Sequence, residues 1–304
     1  MMYTDFRIAV IGDFLVDEWW RAESMKICPE APVPDLINPV LVMRSAGGAG
    51  NVVRNLLSLG AQVDCYGIFG RDDAGYALWN ELQSEGANWR VDPVDGFETH
   101  RKIRYVSDGQ MVFRVSRDRC RAVSEVVRVN IDDYDAFIVS DYNKGAMTPE
   151  TINTVMRGAQ EKPVFVDPKF DNLEYYAGAK LIKFNKAEAL AAMKNGEYSI
   201  AALQRKLTTE NRQLRTNIVV TLGHVGMEVI DAEGEIYDIP GREVGVADVT
   251  GAGDTAIAVL TLEFLRTKNL VESAFLANYA CSLVVQKRMT AVVTPEELEA
   301  ARDE

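Results

Sequence analysis

Short, largely apolar runs recur along the chain with room for a helix between most of them. Residues 7–12 (RIAVIG), 63–69, 136–140, 164–167, 181–184 and 218–222 show little polar alternation, the pattern of strands buried on both faces. Helical patterns lie between them, at 51–59 behind a glycine-rich turn, at 74–85 behind Asp72-Asp73, and at 149–160. In the last of these Thr148 stands at the N-cap and Pro149 at the first helical position, where its missing N–H is not needed. Strands alternating with helices predict an α/β fold, a mostly parallel central sheet with helices on both faces. Further on, 227–239 reads as a hairpin turning at Glu233-Gly234, followed by apolar helices over 255–266 and 271–286 and a last helix from Pro295.

Two stretches break the alternation. Residues 13–44 hold Pro29, Pro32, Pro34 and Pro39 among extended residues, a composition no helix tolerates. Residues 99–117 read as two strands joined by Asp108-Gly109, a type I′ turn signal. Together they predict a small β-sheet lid, inserted as segments 13–44 and 98–117 into one domain spanning 1–304; two ordinary surface excursions are the other reading. No internal repeat, low-complexity tract or linker interrupts the chain.

Composition narrows the function. Hydrophobic residues make up 47% and charged residues 26% of the 304, with a formal net charge of −12. Such a balance speaks against nucleic-acid or anionic-membrane partners. An anionic substrate then needs a local basic group. Cys28, Cys65, Cys120 and Cys281 are scattered without a C-x-x-C pair, and the start has no signal-peptide pattern. A cytoplasmic protein with reduced thiols is expected.

The stretch Asp248-Val249-Thr250-Gly251-Ala252-Gly253-Asp254 precedes an alanine-rich apolar run. Small residues at a helix N-terminus expose N–H groups and the positive end of the helix dipole, a setting for phosphate. A carboxylate there repels phosphate, so Asp254 reads either as a general base for an attacking hydroxyl or as a helix-capping Asp. Ala46-Gly47-Gly48-Ala49-Gly50-Asn51 is a second glycine-rich turn, with Asn51 suited to sugar hydroxyls. It lacks the dinucleotide spacing, and no Walker A lysine occurs. Asn185 and Glu188, three apart behind a strand, could hold the water shell of Mg²⁺ or form a capping box. Thr221-Leu222-Gly223-His224-Val225-Gly226 could line a nucleotide or simply turn a hairpin. Asp13 and Asp17 follow the first strand, and Lys169 ends another, where a point charge can meet phosphate.

The hairpin carries Arg101, Lys102, Arg104 and Arg114, with Arg117, Arg119 and Arg121 beyond it. Lys102 and Arg104 share a face and could hold a substrate phosphate or line a solvated edge. Only His100 and His224 occur, without H-E-x-x-H, and neither G-x-S-x-G nor a protein-kinase H-R-D set is present. Phosphoryl transfer is the chemistry that remains.

Gly47-Gly48-Ala49-Gly50-Asn51 with Gly60 and Gly70, Asn185-x-x-Glu188, and Asp248-x-Thr250-Gly-Ala-Gly-Asp254 resemble the ribokinase-type (PfkB) carbohydrate kinases, in order and across nearly the whole chain. Pro29-Glu30-Ala31-Pro32-Val33-Pro34, Ser140-Asp141-Tyr142-x-Lys144-Gly145 and Asp167-Pro168-Lys169 resemble, more narrowly, the D-glycero-β-D-manno-heptose 7-phosphate kinases of lipopolysaccharide-precursor synthesis, which occur alone or fused to an adenylyltransferase. The resemblance implies a ribokinase-like three-layer sandwich and ATP-dependent phosphorylation of an anomeric hydroxyl. Asp254 would be the base and Gly251, Ala252 and Gly253 the anion hole. Asn185 and Glu188 would support Mg²⁺. Asp13, Gly47, Gly48, Asn51, Lys102, Arg104 and Lys169 would lie at the sugar phosphate, and Asn185, Thr221, Gly223, Gly226 and Asn278 at ATP. It further implies a homodimer through the lid, and no adenylyl transfer by this chain.

The pattern departs at Val53 and Val259, at Cys28 before Pro29, and at Arg288-Met289-Thr290, where relatives often carry glycine. A monovalent-cation site is therefore left open. The rivals are a kinase of the same fold for another sugar, sugar phosphate or nucleoside, and a non-catalytic sugar or nucleotide sensor.

Overall fold

A computed structural model describes residues 3–118, 129, 134–159, 162–193, 198–207 and 216–302. Arg119, Cys120, Arg121 and Gln160 lie outside the described residues. Along the chain the strands are β1 (Arg7–Gly12), β2 (Phe14–Arg21), β3 (Ser24–Ile27), β4 (Pro34–Ile37), β5 (Val40–Gly48), β6 (Gln62–Gly67), β7 (Asn88–Trp89), β8 (Arg101–Ser107), β9 (Gln110–Arg117), β10 (Ala136–Ser140), β11 (Val164–Asp167), β12 (Leu181–Asn185), β13 (Asn217–Thr221), β14 (Gly226–Ile230) and β15 (Ile236–Pro240). The helices are α1 (Ala49–Ser58), α2 (Asp73–Ser84), α3 (Pro149–Gly158), α4 (Lys186–Ala192), α5 (Ile200–Leu207), α6 (Ala252–Thr267), α7 (Leu270–Val284) and α8 (Pro295–Arg302).

Among the described residues the main sheet runs β15-β14-β13-β12-β11-β10-β1-β6-β7. All six apolar runs read from the sequence are parallel strands in it, and the 227–239 hairpin supplies its antiparallel edge. The reason the runs do not alternate is visible in β1. Ile8 and Val10 enter the core under α1, α6 and α7, while Ala9 and Ile11 enter the core under α3. Each strand residue is buried whichever way it points. Helix α6 is buried from Asp254 to Leu265, as expected of a helix apolar all round. Helices α4 and α5 are short, seven and eight residues; a side-chain cap starts α4, and α5 buries Ile200, Leu203 and Leu207 on one face.

The lid is a second sheet, β5-β2-β8-β9, with the β3-β4 hairpin beside it. The chain passes into it directly from β1, Phe14 following two residues after Gly12. Asp108 and Gly109 take φ of 50° and 77°, both positive as a type I′ turn requires. Strand alternation gives the lid two chemistries. Its inner face carries Asp17, Trp19, Lys102, Arg104 and Arg114. On its outer face Trp20 lies 6.1 Å from Tyr105, which stacks on Phe113 at 4.8 Å. Buried Glu18 sits there too, accepting from Trp20 Nε1 at 3.0 Å and Arg44 Nε at 3.0 Å.

Gly12 closes β1 against β10. A Cβ on it would lie 2.2 Å from the Ser140 carbonyl oxygen, between backbones that cannot yield. Gly12→Ala is expected to cost about 1–3 kcal/mol of stability through overpacking. Urea unfolding would show this as a lower midpoint with an unchanged slope.

Candidate active site

The carboxyl ends of the parallel strands fall in register: Gly12 lies opposite Ser140, Ser140 opposite Asp167, and Asn185 opposite Thr221. Ligands of open α/β sheets collect along this edge, and most of the singled-out residues line it. Asp13 leaves β1 and turns its carboxylate onto the loop after β10. Its Oδ2 accepts the amides of Tyr142 (2.8 Å) and Lys144 (3.0 Å), and its Oδ1 accepts that of Ala146 (2.9 Å). Asp141 anchors the same loop from within, accepting from the Asn143 amide, Asn172 Nδ2 and the Tyr176 hydroxyl. Burial, with the Asp13 charge nearby, pushes the Asp141 carboxyl up to about 6.

The loop so fixed aims Tyr142 at the N-terminus of α6. Gly251 caps that helix at φ 85°, and a Cβ there would lie 2.5 Å from Asn51 Nδ2. Asp254 sits in the first turn but does not cap the helix. Its Oδ1 accepts the Tyr142 hydroxyl at 2.7 Å and its Oδ2 accepts Asn51 Nδ2 at 2.9 Å. Burial raises the Asp254 carboxyl above its ordinary value, opposed by these two donors and by the charges of Lys183 and Lys102. Burial and the Asp254 charge hold the Tyr142 hydroxyl well above 10, so it stays a donor. Asn51 keeps one buried atom, Oδ1, with no partner.

Lys183, a lone cation in an apolar strand, was not singled out from the sequence. It is buried, donates to Asp167 Oδ2 at 2.7 Å and lies 3.4 Å from the Gly253 carbonyl oxygen. Burial pulls its ammonium down, but Asp167, Glu188 and Asp254 outweigh that and hold it above its ordinary value.

The lid brings Lys102 Nζ to 4.6 Å from the centre of the Tyr142 ring, and Lys169 Nζ reaches the same ring at 5.2 Å. Lys169 also donates to Glu188 Oε1. Arg104 is committed elsewhere: it donates to Asp17 at 2.5 Å and stacks on Trp19 at 4.9 Å. Gly47 and Gly48 end β5 where side chains cannot fit, since a Cβ would meet Asp17 Oδ2 at 2.1 Å or the Asp13 carbonyl at 2.6 Å.

On the other flank, Asn185 and Glu188 form a reciprocal capping box, each accepting the other's amide at 2.9 Å. Thr221 neighbours Asn185 across the strands and its hydroxyl leans on the Phe184 carbonyl at 3.4 Å. Gly223 opens a short turn at φ 66° and Gly226 allows the hairpin to pass the Ile239 carbonyl. Asn278 donates to the Pro240 carbonyl at 2.8 Å. Met289, in the Arg288-Met289-Thr290 stretch, holds a left-handed φ of 66°, a conformation that bulky residues rarely adopt. Among the described residues no group of three His, Cys, Asp or Glu side chains is gathered for a metal, and no helix is long and apolar enough to cross a membrane.

Residues 6–297 match the pfkB family of carbohydrate kinases. The chain belongs to that family. As a pfkB carbohydrate kinase it is an ATP-dependent sugar kinase. It is 37% identical over 96% of its length to a "Bifunctional protein HldE" of Nitratiruptor sp., and 37% identical over 96% to one of Caulobacter vibrioides. The alignments cover 64% and 62% of those proteins, so the pfkB chain spans a little under two thirds of the relatives it matches. Its fold is shared with ribokinase from Thermotoga maritima (TM-score 0.73, 17% identity, 98% of this chain and 100% of the other). Adenosine kinase from Sinorhizobium meliloti is similar as well (TM-score 0.72, 18% identity, 98% and 99%). The ribokinase-like three-layer architecture with a small sheet lid is thereby established.

Replacing Lys183 of this pfkB kinase by Met leaves Asp167 buried without its counter-charge. Such a loss costs about 3–5 kcal/mol, readable as a lower Tm at pH 7. Burial already raises the Asp167 carboxyl, and without Lys183 it rises further. The deficit should therefore shrink as pH falls and Asp167 takes up a proton.

Proposed function

We propose that this kinase phosphorylates the anomeric hydroxyl of D-glycero-β-D-manno-heptose 7-phosphate to give the 1,7-bisphosphate, with Asp254 as general base. The observation that carries the reading is the Asp254 carboxylate, held by Tyr142 and Asn51 beside the open end of α6. The heptose assignment itself follows from the 29–34, 140–145 and 167–169 motifs and accords with the HldE relatives.

In the proposed reaction the sugar hydroxyl donates to Asp254 while Asn51 Oδ1 orients a neighbouring hydroxyl. As the new P–O bond forms, Asp254 takes the proton and the bond to the ADP oxygen breaks. The amides of Gly251, Ala252 and Gly253 stabilise the transferring phosphoryl group. Lys102 and Lys169 supply positive charge near it and the sugar phosphate, with Arg104 and Asp17 shaping the lid behind them. Asp13 serves by fixing the loop at the sugar, and Gly47 and Gly48 by letting β5 pack closely against Asp17 and Asp13. Thr221, Gly223, Gly226, Asn185 and Asn278 flank the nucleotide.

An amide and a carboxylate, each already part of a capping box, suit a Mg²⁺ ion that keeps its waters. Asn185 and Glu188 would hold it through that shell, and the ion would neutralise the ATP phosphates. The enzyme would work in the cytoplasm as a homodimer. Its exposed outer lid face, with Phe113 40% and Leu41 39% accessible beside Trp20 and Tyr105, suits a second copy. Phe113→Asp is then expected to convert the dimer to monomer in sedimentation velocity.

Phosphorus NMR with Mg-ATP and the heptose 7-phosphate, beside ribose and fructose 6-phosphate, tests the acceptor. A new anomeric phosphate from the heptose alone is the expected outcome, and product from another sugar instead removes the heptose assignment. Asp254→Asn should cut turnover by roughly 10²–10⁴-fold with ATP binding retained; near-normal turnover removes Asp254 from the chemistry.

A further inference from the structure

We propose that Tyr142 is the positioning residue for the base, its hydroxyl fixing one oxygen of Asp254 while its ring seats the ammonium groups of Lys102 and Lys169 beside the reacting centre. The inference rests on Asp254 being the base and adds a residue to that machinery.

Three observations carry it. First, the Tyr142 backbone has little freedom: its own amide donates to Asp13, the next amide donates to Asp141, and Asn143 is held at φ 54°. A loop pinned by two buried carboxylates delivers one side chain to the site at a fixed angle. Second, the hydroxyl lies 2.7 Å from Asp254 Oδ1 and Asn51 holds the other oxygen. A carboxylate has about four lone-pair sites, so both donors can stay while an acceptor hydroxyl uses a third. Third, the same ring bears lysines from opposite sides of the site, Lys102 from the lid and Lys169 from the strand edge next to Glu188. One aromatic ring therefore links the lid to the strand edge beside Glu188.

A donor to the charged form of a carboxylate lowers its proton affinity. Tyr142→Phe keeps the ring and the lysine contacts and deletes only the hydroxyl. It should lower kcat about tenfold, as expected for a hydrogen bond to a charged group, and leave KM for ATP and Tm unchanged. The acidic limb of the kcat–pH profile should move to higher pH. Incorporating 3-fluorotyrosine at 142, a stronger donor of the same shape, should move that limb the other way. This second variant decides the matter if Tyr142→Phe folds poorly.

The profile is measured with Mg-ATP and heptose 7-phosphate. In parallel, the protonated carboxyl band of Asp254 is titrated in the ligand-free enzyme by infrared difference against Asp254→Asn, which needs no acceptor. Turnover surviving in Asp254→Asn overturns the base and this inference with it. Loss of turnover in Asp254→Asn, with titrations of both Tyr142 variants matching wild type, overturns the role of Tyr142 alone.

Discussion

The proposed chemistry depends on one buried carboxylate, that of Asp254. Water would solvate Asp254 and weaken the base proposed there, yet burial alone would raise its proton affinity until it is neutral. The protein meets the two demands with two hydrogen-bond donors and two lysine charges, placed where the end of α6 adds its own positive potential. The result is a carboxyl that binds a proton more readily than in water, which suits the base proposed for it, and still accepts from neighbouring donors.

The same problem repeats along the strand edge, and each case is solved differently. Asp13 is satisfied by three backbone amides, Asp141 by an amide, Asn172 and Tyr176, Asp167 by Lys183, and Asp17 by Arg104. These acids account for much of the cation content near the site. Arg104, which looks from sequence like a substrate ligand, is spent inside the lid. Lys102 has no carboxylate within ion-pair distance among the described residues, and in a chain of net charge −12 that makes it a cation available to an anionic ligand.

The fold was legible because parallel strands buried on both faces leave an unbroken apolar signature, and because the Asp108-Gly109 turn has few alternatives. The two glycine-rich turns and Asp254 were legible for the same kind of reason: small residues at a helix start have a physical purpose. Lys183 left no such trace, and Tyr142 stood in the 140–145 motif without a role of its own. One is a single charge inside an apolar run and the other an aromatic in a loop, and only the tertiary packing that brings β12 and the loop after β10 against α6 gives them meaning. Helices α4 and α5, seven and eight residues long, are too brief for a 3.6-residue period to stand out, although Ile200, Leu203 and Leu207 do share the buried face of α5.

The lid adds a constraint of register. In β8 and β9, Arg104 lies opposite Arg114 and Tyr105 opposite Phe113, but Val106 lies opposite Met111. Val112 is therefore an extra residue, a bulge on the outer strand. Counting back from the Asp108-Gly109 turn without it, Arg104 would face Phe113. The bulge thus decides which side of β9 meets the site: with it, charge is turned inward and the aromatic ring joins Trp20 and Tyr105 outside. A two-residue side-chain period makes this all or nothing. The facing of β9, with Arg114 turned inward and Phe113 outward, is consequently fixed by backbone geometry at Val112.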